Sequence, residues 1–346
     1  MAKGKVTLRE VAALAGVHVS TASRALDSRG PLRIGPDTAE KVRSAAAELG
    51  YSRDLLASGL KRGMTKSVGV VIADHDNPYS AGLIRGVTRV LEADDFVPLV
   101  AETAESRERF ERLLRHLVGR RVDAVITAAV HLDGGELLAR LLGDDVPVVL
   151  AGRGLPGGDY GSVLHDDVTG GSLAAEHLLA SGHRRVAQLA GPDDIDTFVR
   201  RAEGFSVAVA AGGGVEIGGP GPGSVTPTFE EGRRLMGGLL AAPVRPTGVF
   251  APTDVMAVGA LDAIAAAGLR CPDDVSVVGY NDVAMSRFVS PPLTTIEMPA
   301  ERVGAEAARM ALTAIDDPAA PRRLVVLPAR LVVRRSTGPA PAVASA

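Results

Sequence analysis

The sequence predicts a mixed α/β protein with a small all-α helix-turn-helix headpiece, followed by a two-lobed core of doubly wound parallel sheets. Residues 6–50 contain three short helical patterns that have capping signals at their ends. From Ser67 onward, short apolar strands alternate with helical segments, which is typical of parallel sheets covered on both faces. About ten such units are too many for one domain of ordinary size, so two lobes are expected.

The first helix is predicted to begin at Thr7, because Thr7 and Glu10 have the spacing of a capping box. Gly16 can adopt the left-handed conformation that ends a helix, and a second amphipathic run follows from Val17 to Leu26. Two short helices joined by a tight glycine turn form a helix-turn-helix. The second helix of such a motif has the width of the DNA major groove.

The exposed face of the second helix is expected to carry Val19, Ser20, Ser23 and Arg24. Arginine can bind a guanine edge or a phosphate, serine can bind a base or the backbone, and valine can pack on a thymine methyl. A helical hairpin with a polar solvent-exposed face would show the same pattern. The charge distribution favours DNA, because residues 1–66 hold 12 of the 38 basic residues but only 6 of the 41 acidic ones.

The chain has 346 residues, of which 46% are hydrophobic, and this is enough for two or three domains. The single cysteine, Cys271, excludes an intrachain disulfide and fits a reducing compartment. No apolar signal segment precedes the first helix, and no apolar run has the length needed to span a bilayer. We therefore expect a cytoplasmic, nucleoid-associated location.

A third helix is predicted over residues 37–49, after Pro36 and before Gly50. With this helix, residues 6–51 resemble the headpiece of the lactose/galactose repressor family of bacterial transcription regulators. The resemblance implies a homodimer that binds a near-palindromic operator in double-stranded DNA. The DNA contacts that it implies are Thr7, Val19, Ser20, Thr21, Ser23, Arg24, Thr38, Leu60 and Lys61.

Residues 52–66 have the composition of a basic linker with one marginal helical turn. In the resembling family this segment is a hinge helix, which orders on DNA and inserts a leucine, here Leu60, into the minor groove. Gly59 weakens a helix by about 1 kcal/mol relative to alanine, so we predict a hinge that is disordered without DNA. Alternatively, Leu60 is simply an exposed linker leucine.

Motifs of the same family continue through the core and imply the fold of periplasmic sugar-binding proteins. They lie at residues 121–126, 177–186, 190–192, 201–205, 254–260, 272–280 and 292–296. The predicted domains are a headpiece (1–51), a hinge (52–66), an effector-binding and dimerisation core (67–338) and a disordered tail (339–346). Within the core we expect lobe one over about 67–164 and 299–327, and lobe two over about 165–298 and 328–338.

A ligand is expected between the lobes, because ligands of open parallel sheets bind beyond the carboxyl ends of the strands. The segments that follow the strands are polar and suit a hydroxyl-rich molecule, such as a sugar or a related metabolite. The candidate effector contacts are Asp74, Tyr79, Ser80, Arg153, Thr197, Arg201, Pro227, Thr253 and Asn281. The resemblance weakens at four pocket positions, which are Asn281, Thr253, Pro227 and Met298.

Enzyme motifs offer little support for catalysis. Residues 152–157 have the spacing G-x-G-x-x-G, but Pro156 predicts a loop in place of the helix that a pyrophosphate site needs. His165, Asp166 and Asp167 could form a metal site or a base, although a helix N-cap explains the aspartates more simply. We expect no catalytic residue, metal or cofactor.

The predicted function is a ligand-responsive transcriptional repressor, in which DNA and ligand affect each other's affinity. One alternative is a solute-binding protein or sugar-modifying enzyme on the same two-lobed fold. Another is a regulator whose pocket no longer binds a ligand.

Overall fold

The computed structural model describes residues 6–26, 34–51, 64–143, 145–218 and 226–341. The chain divides into two compact units, Met1–Thr65 and Lys66–Ala346. Residues 52–63 of the predicted hinge, with Leu60 and Lys61, lie outside the described residues, as do residues 27–33 of the loop predicted between the second and third helices.

The first residues of the predicted C-terminal tail are described by the structure. The main-chain N–H of Ala340 donates a hydrogen bond to the Ser181 carbonyl at 2.9 Å. Residues 342–346 lie outside the described part of the chain.

In its described residues the headpiece contains three short helices, as predicted: α1 (Leu8–Leu14), α2 (Val19–Ala25) and α3 (Pro36–Glu48). The capping box is confirmed, since the Thr7 side chain accepts from Glu10 N–H and the Glu10 carboxylate accepts from Thr7 N–H at 2.6 Å. Gly16, with a φ of 66°, forms the turn between α1 and α2. The headpiece core consists of Val11, Ala12, Ala22, Val42, Ala45 and Ala46.

Strands and helices alternate along the core, as the sequence predicts. The strands are β1 (Ser67–Ile72), β2 (Val97–Glu102), β3 (Ala124–Thr127), β4 (Val148–Gly152), β5 (Gly161–His165), β6 (Arg185–Gln188), β7 (Val215–Glu216), β8 (Gly248–Phe250), β9 (Ser276–Asn281), β10 (Thr294–Glu297), β11 (Leu324–Leu327) and β12 (Arg330–Val332). The helices are α4 (Pro78–Ala93), α5 (Arg107–Gly119), α6 (Gly135–Leu142), α7 (Asp167–Ala180), α8 (Asp196–Ala211), α9 (Phe229–Ala241), α10 (Asp254–Ala266) and α11 (Ala300–Asp316).

Among the described residues, these strands form two six-stranded sheets, one in each lobe. The lobe-one sheet has the order β11-β5-β4-β3-β1-β2 and is parallel throughout. The lobe-two sheet has the order β12-β10-β9-β8-β6-β7, and only β12 runs antiparallel to its neighbour. The chain passes between lobes after β5, β10 and β11, which confirms the predicted two-lobed α/β class.

Helices in both lobes pack backbone to backbone at glycines. Gly171 of α7 lies against the carbonyl of Arg201 in α8, and Gly86 of α4 lies against the carbonyl of Glu301 in α11. A side chain at either glycine would overlap the main chain of the opposite helix. This close packing holds α8, which carries Thr197 and Arg201, in a defined position at the cleft.

The length and hydropathy of a helix decide whether it can span a bilayer. None of the helices in the described ranges is both long enough and apolar enough to cross a membrane.

Candidate functional site

A cavity of about 80 Å³ lies between the lobes, at the carboxyl ends of their parallel strands. The structure brings together at this cavity all of the residues predicted as effector contacts: Asp74, Tyr79, Ser80, Arg153, Thr197, Arg201, Pro227, Thr253 and Asn281. A larger cavity, of about 340 Å³, lies between β4, β5 and α11 of lobe one, and none of these residues lines it.

On the lobe-one side, Arg153 forms a two-pronged ion pair with Glu105. Its Nη1 and Nη2 atoms lie 2.9 Å and 2.6 Å from the two carboxylate oxygens. The side chains are only 11% and 19% exposed, so this charge pair is well shielded from solvent. Glu105 also lines the cavity, and sequence reasoning missed it because it lies 48 residues from Arg153.

On the lobe-two side, Arg201 is buried, and each of its three guanidinium nitrogens has a contact. Nε donates to Asp167 Oδ1 at 2.8 Å, Nη1 donates to the Pro252 carbonyl at 2.8 Å, and Nη2 lies 3.2 Å from Met298 Sδ. The guanidinium also stacks on the Tyr280 ring, 3.8 Å from its centroid. Arg201 is therefore held rigidly at the edge of the cavity.

The two aspartates at the start of α7, Asp166 and Asp167, have different roles, which corrects the prediction that both serve as a cap. Asp166 is the N-cap, since its side chain accepts from Thr169 N–H at 3.2 Å. Asp167 is instead buried against Arg201 and accepts a hydrogen bond from the Tyr280 hydroxyl at 3.0 Å. Burial raises the pKa of Asp167, and the Arg201 guanidinium opposes that shift.

Thr253 and Asn281 reach the cavity from the ends of lobe-two elements. Thr253 is the N-cap of α10, and its side chain accepts from Met256 N–H at 3.2 Å. Asn281 ends β9 with a φ of 116°, a conformation that strongly favours glycine. Backbone strain of this kind persists only where the surrounding structure over-determines it, and it is common at ligand sites.

A network of polar and ionisable side chains joins the two lobes beside the cavity. Asp194 of lobe two accepts from Arg107 Nη2 at 2.7 Å and lies 3.1 Å from His131 Nδ1, both in lobe one. The other ring nitrogen of His131 is 3.7 Å from Glu105, which is the partner of Arg153. These contacts lead from the cavity to the contact between the lobes, and their longest step is the one between His131 and Glu105. The sequence gives no local signal for them.

One cluster of potential metal ligands occurs among the described residues. Asp74, His75 and Glu102 bring ligand atoms within 4.8 Å of one another. His75 Nδ1 and Glu102 Oε1 are already hydrogen-bonded at 2.5 Å, and this contact raises the pKa of the imidazole. The pairing explains the cluster without an ion.

The headpiece presents part of the predicted DNA-contacting set to solvent. Thr7, Ser20 and Arg24 are exposed, whereas Thr21, Ser23 and Thr38 are half-buried. Val19 is also half-buried and packs on the headpiece core, which limits how far it can reach outward. His18 caps α2, because its Nδ1 accepts from Ser20 N–H at 3.3 Å.

Two family models match the chain. Residues 7–54 match "Bacterial regulatory proteins, lacI family", and residues 175–337 match "Periplasmic binding protein-like domain". The first match covers the headpiece and the second covers most of lobe two.

Relatives and solved structures match nearly the whole chain. The HTH-type transcriptional regulator CelR of Thermobifida fusca is 35% identical over 338 residues, which are 95% of this chain and 98% of the relative. A structure of a transcriptional regulator CelR–cellobiose complex has a TM-score of 0.70 at 33% identity, covering 96% of this chain and 99% of the other. The lac repressor dimer bound to operator and the anti-inducer ONPF has a TM-score of 0.83 at 26% identity, with the same two coverages.

Proposed function

Because the chain belongs to the lacI family of bacterial regulatory proteins, we propose that it is a ligand-responsive transcriptional repressor that binds a near-palindromic operator as a homodimer. The observation that carries this proposal is the 35% identity to a transcriptional regulator over 338 residues, since the alignment spans headpiece and core together. The relatives reported above are regulators and not enzymes, in keeping with the predicted lack of catalysis.

The proposed DNA contacts centre on α2. The exposed Ser20 and Arg24 lie four residues apart, so they share one face of the helix and can reach base edges or phosphates together. We assign Thr7 to a phosphate contact from the family resemblance alone, because its N–H and its hydroxyl already donate to the Glu10 carboxylate. We assign Leu60 and Lys61 to the minor groove and a phosphate from the family resemblance alone, since both lie outside the described residues.

The proposed effector is an uncharged polar molecule of the sugar class. Both arginines at the cavity already have carboxylate partners, Glu105 for Arg153 and Asp167 for Arg201, so no positive charge is left to balance an anionic ligand. Hydroxyl and amide groups at Thr197, Thr253 and Asn281 suit ligand hydroxyls. The cellobiose bound by the similar CelR structure belongs to this class.

The network of polar and ionisable side chains beside the cavity offers a route for the ligand response. A ligand that contacts Arg153 alters the ion pair between Arg153 and Glu105, and with it the contact between Glu105 and His131. His131 in turn contacts Asp194 of the other lobe. We propose that effector binding thereby alters the fit between the lobes, and with it the operator affinity. Such coupling is reciprocal, so operator DNA must change the effector affinity by the same factor.

For the homodimer we propose a contact at Phe288, which follows the short 3₁₀ helix Ala284–Arg287. This residue is 85% exposed, the largest exposure among the big apolar residues of the described chain. Aromatic side chains of this kind are enriched in subunit interfaces.

The test is footprinting on the DNA around this protein's own gene and on sequences selected from random DNA, across a salt series. We expect a protected near-palindrome whose affinity falls steeply with salt. Arg24→Ala should weaken binding about tenfold or more, and Leu60→Ala should reduce DNA bending. The control is Arg115→Ala, which removes an exposed arginine of α5 in the effector-binding core and should leave the operator affinity unchanged. Wild-type behaviour of both headpiece and hinge variants would refute the proposal.

A further inference from the structure

His18 is an unusual residue at the start of the helix that the proposed function places on DNA. It is the N-cap of α2, with the extended backbone of a cap (φ −69°, ψ 147°). Side-chain oxygens are the usual acceptors at this position. They cap the other helices of the described chain that have a side-chain cap, through Thr7, Asn77, Ser106, Asp166, Thr228 and Thr253. At α2 the acceptor is instead a ring nitrogen, and that nitrogen also contacts the side chain of Ser20.

The main-chain contact assigns the tautomer of His18. The main-chain nitrogen of Ser20 lies 3.3 Å from Nδ1, and this N–H group can only donate. A hydrogen on Nδ1 would face the hydrogen of that N–H group and leave the group without its cap. Nδ1 is therefore the acceptor, and the neutral imidazole carries its hydrogen on Nε2.

The tautomer of His18 in turn fixes the hydroxyl group of Ser20. Ser20 Oγ lies 2.8 Å from the same Nδ1 atom. Because Nδ1 has no hydrogen, the Ser20 hydroxyl must be the donor in this contact. A serine hydroxyl has one hydrogen and two lone pairs, so Ser20, which is exposed, offers only acceptor sites to a further partner.

An acceptor-only hydroxyl narrows the choice of partners in the major groove. Phosphate oxygens, guanine O6 and N7 and thymine O4 all accept hydrogen bonds, so none of them can pair with it. The donors on base edges in this groove are the amino groups at adenine N6 and cytosine N4. The first residues of a recognition helix are the ones that contact base edges, and Ser20 is the second residue of α2.

Arg24, four residues further along the same exposed face, has the opposite polarity. Its guanidinium can only donate, so it suits guanine O6 and N7 or a phosphate. The two side chains therefore give α2 two reading positions of opposite hydrogen-bond sense.

We propose that His18 sets a base preference of this protein by holding the Ser20 hydroxyl as an acceptor, so that Ser20 reads the amino group of adenine or cytosine at one position of each operator half-site. The inference rests on the proposed function, because it requires operator binding through α2. It makes His18 a positioning residue that acts through Ser20, and it assigns Ser20 to a base and not to the DNA backbone.

The first arm of the test selects binding sites from a random-sequence duplex library with the full-length protein and its variants. The wild type should prefer adenine or cytosine over guanine or thymine about fivefold at one position of each half-site, as expected of one hydrogen bond. Ser20→Ala should remove the preference at that position only. His18→Ala frees the hydrogen of Ser20, so guanine and thymine should become acceptable there.

The matched control is His18→Asn, because the asparagine Oδ1 atom is also an N-cap acceptor and can accept from the Ser20 hydroxyl. This variant should keep the preference for adenine or cytosine. If His18 only stabilises α2, His18→Ala will weaken binding to all sequences equally and leave the base preference intact, which would overturn the inference. A preference for guanine or thymine at the position that depends on Ser20 would overturn it as well.

The second arm removes the amino group from the DNA. In the selected operator, the base read by Ser20 is replaced by an analogue without that group, and affinities are measured by fluorescence anisotropy. The wild type should lose about fivefold in affinity, whereas Ser20→Ala should lose nothing further. Equal losses for the two proteins would overturn the Ser20 contact and leave the proposed function standing. Failure of the wild type to select any sequence would instead refute the proposed function.

Discussion

Replacing Gly171 by alanine should destabilise the core and disturb the effector cavity. The added Cβ atom would lie 2.8 Å from the main-chain N of Phe205 and closer still to the Arg201 carbonyl oxygen, while ordinary contact begins at 3.4 Å. Both are main-chain atoms of α8, so no side-chain rotation can relieve the overlap. Because the carbonyl oxygen is the closer atom, the two helices must separate by about 1 Å or more, which carries Arg201 away from the cavity.

The magnitude follows from two opposing effects. Overpacking of this kind costs about 1–3 kcal/mol, and we expect the upper end because the overlap is with main chain on both sides. The gain in helix propensity from glycine to alanine is about 1 kcal/mol, so the net loss of unfolding free energy should be about 2 kcal/mol. The effector affinity should decrease as well, because Arg201 moves away from the cavity.

The assay is urea unfolding of the core, with Gly238→Ala as the matched control. Gly238 lies in α9, is exposed, and has no atom within 4 Å of an added Cβ. The control should therefore gain up to about 1 kcal/mol and keep its effector affinity. Equal midpoints for the two variants would refute the inference that α7 and α8 meet backbone to backbone.

Three further outcomes are expected. The pKa of His165 is about 3 in the folded protein and 6.5 in the unfolded chain, so its contribution to stability is present above pH 6.5 and is lost as the pH falls. The unfolding free energy should therefore decrease by about 1.4 kcal/mol between about pH 7.5 and about pH 5.5 on account of this residue. Urea unfolding at a series of pH values should show that His165→Leu lacks this decrease. Asp194→Asn weakens the link between the lobes and should lower the effector affinity, measured by calorimetry, about three- to fivefold. The control is Asp193→Asn at the exposed neighbouring position, which should leave the affinity unchanged. Equal effects of the two substitutions would rule out a specific contact at Asp194. Phe288→Ser should raise the dissociation constant of the dimer about tenfold or more in sedimentation experiments. Val207→Ser, at another exposed apolar position, is the control and should leave that constant unchanged. An unchanged dissociation constant for Phe288→Ser would place the dimer interface elsewhere.

Local chemistry made much of the fold predictable. The capping box of Thr7 and Glu10, the turn at Gly16 and the alternation of strands and helices each depend on residues close together in the chain. The topology of parallel sheets then places strand ends at one cleft. For that reason the positions predicted there, from Asp74 to Asn281, converge on a single cavity.

The sequence by itself thus determined the fold class, the headpiece and the place of the cavity, because these follow from short-range patterns and a general rule of sheet topology. Only the tertiary structure decided the partners: Glu105 for Arg153, Asp167 for Arg201, and, within the described residues, none for the imidazole of His165. Pairing and burial depend on which distant segments meet when the chain packs. No local pattern encodes that meeting, so the charge balance of the cavity and the lack of a partner for the buried His165 imidazole within the described residues could be seen only in three dimensions.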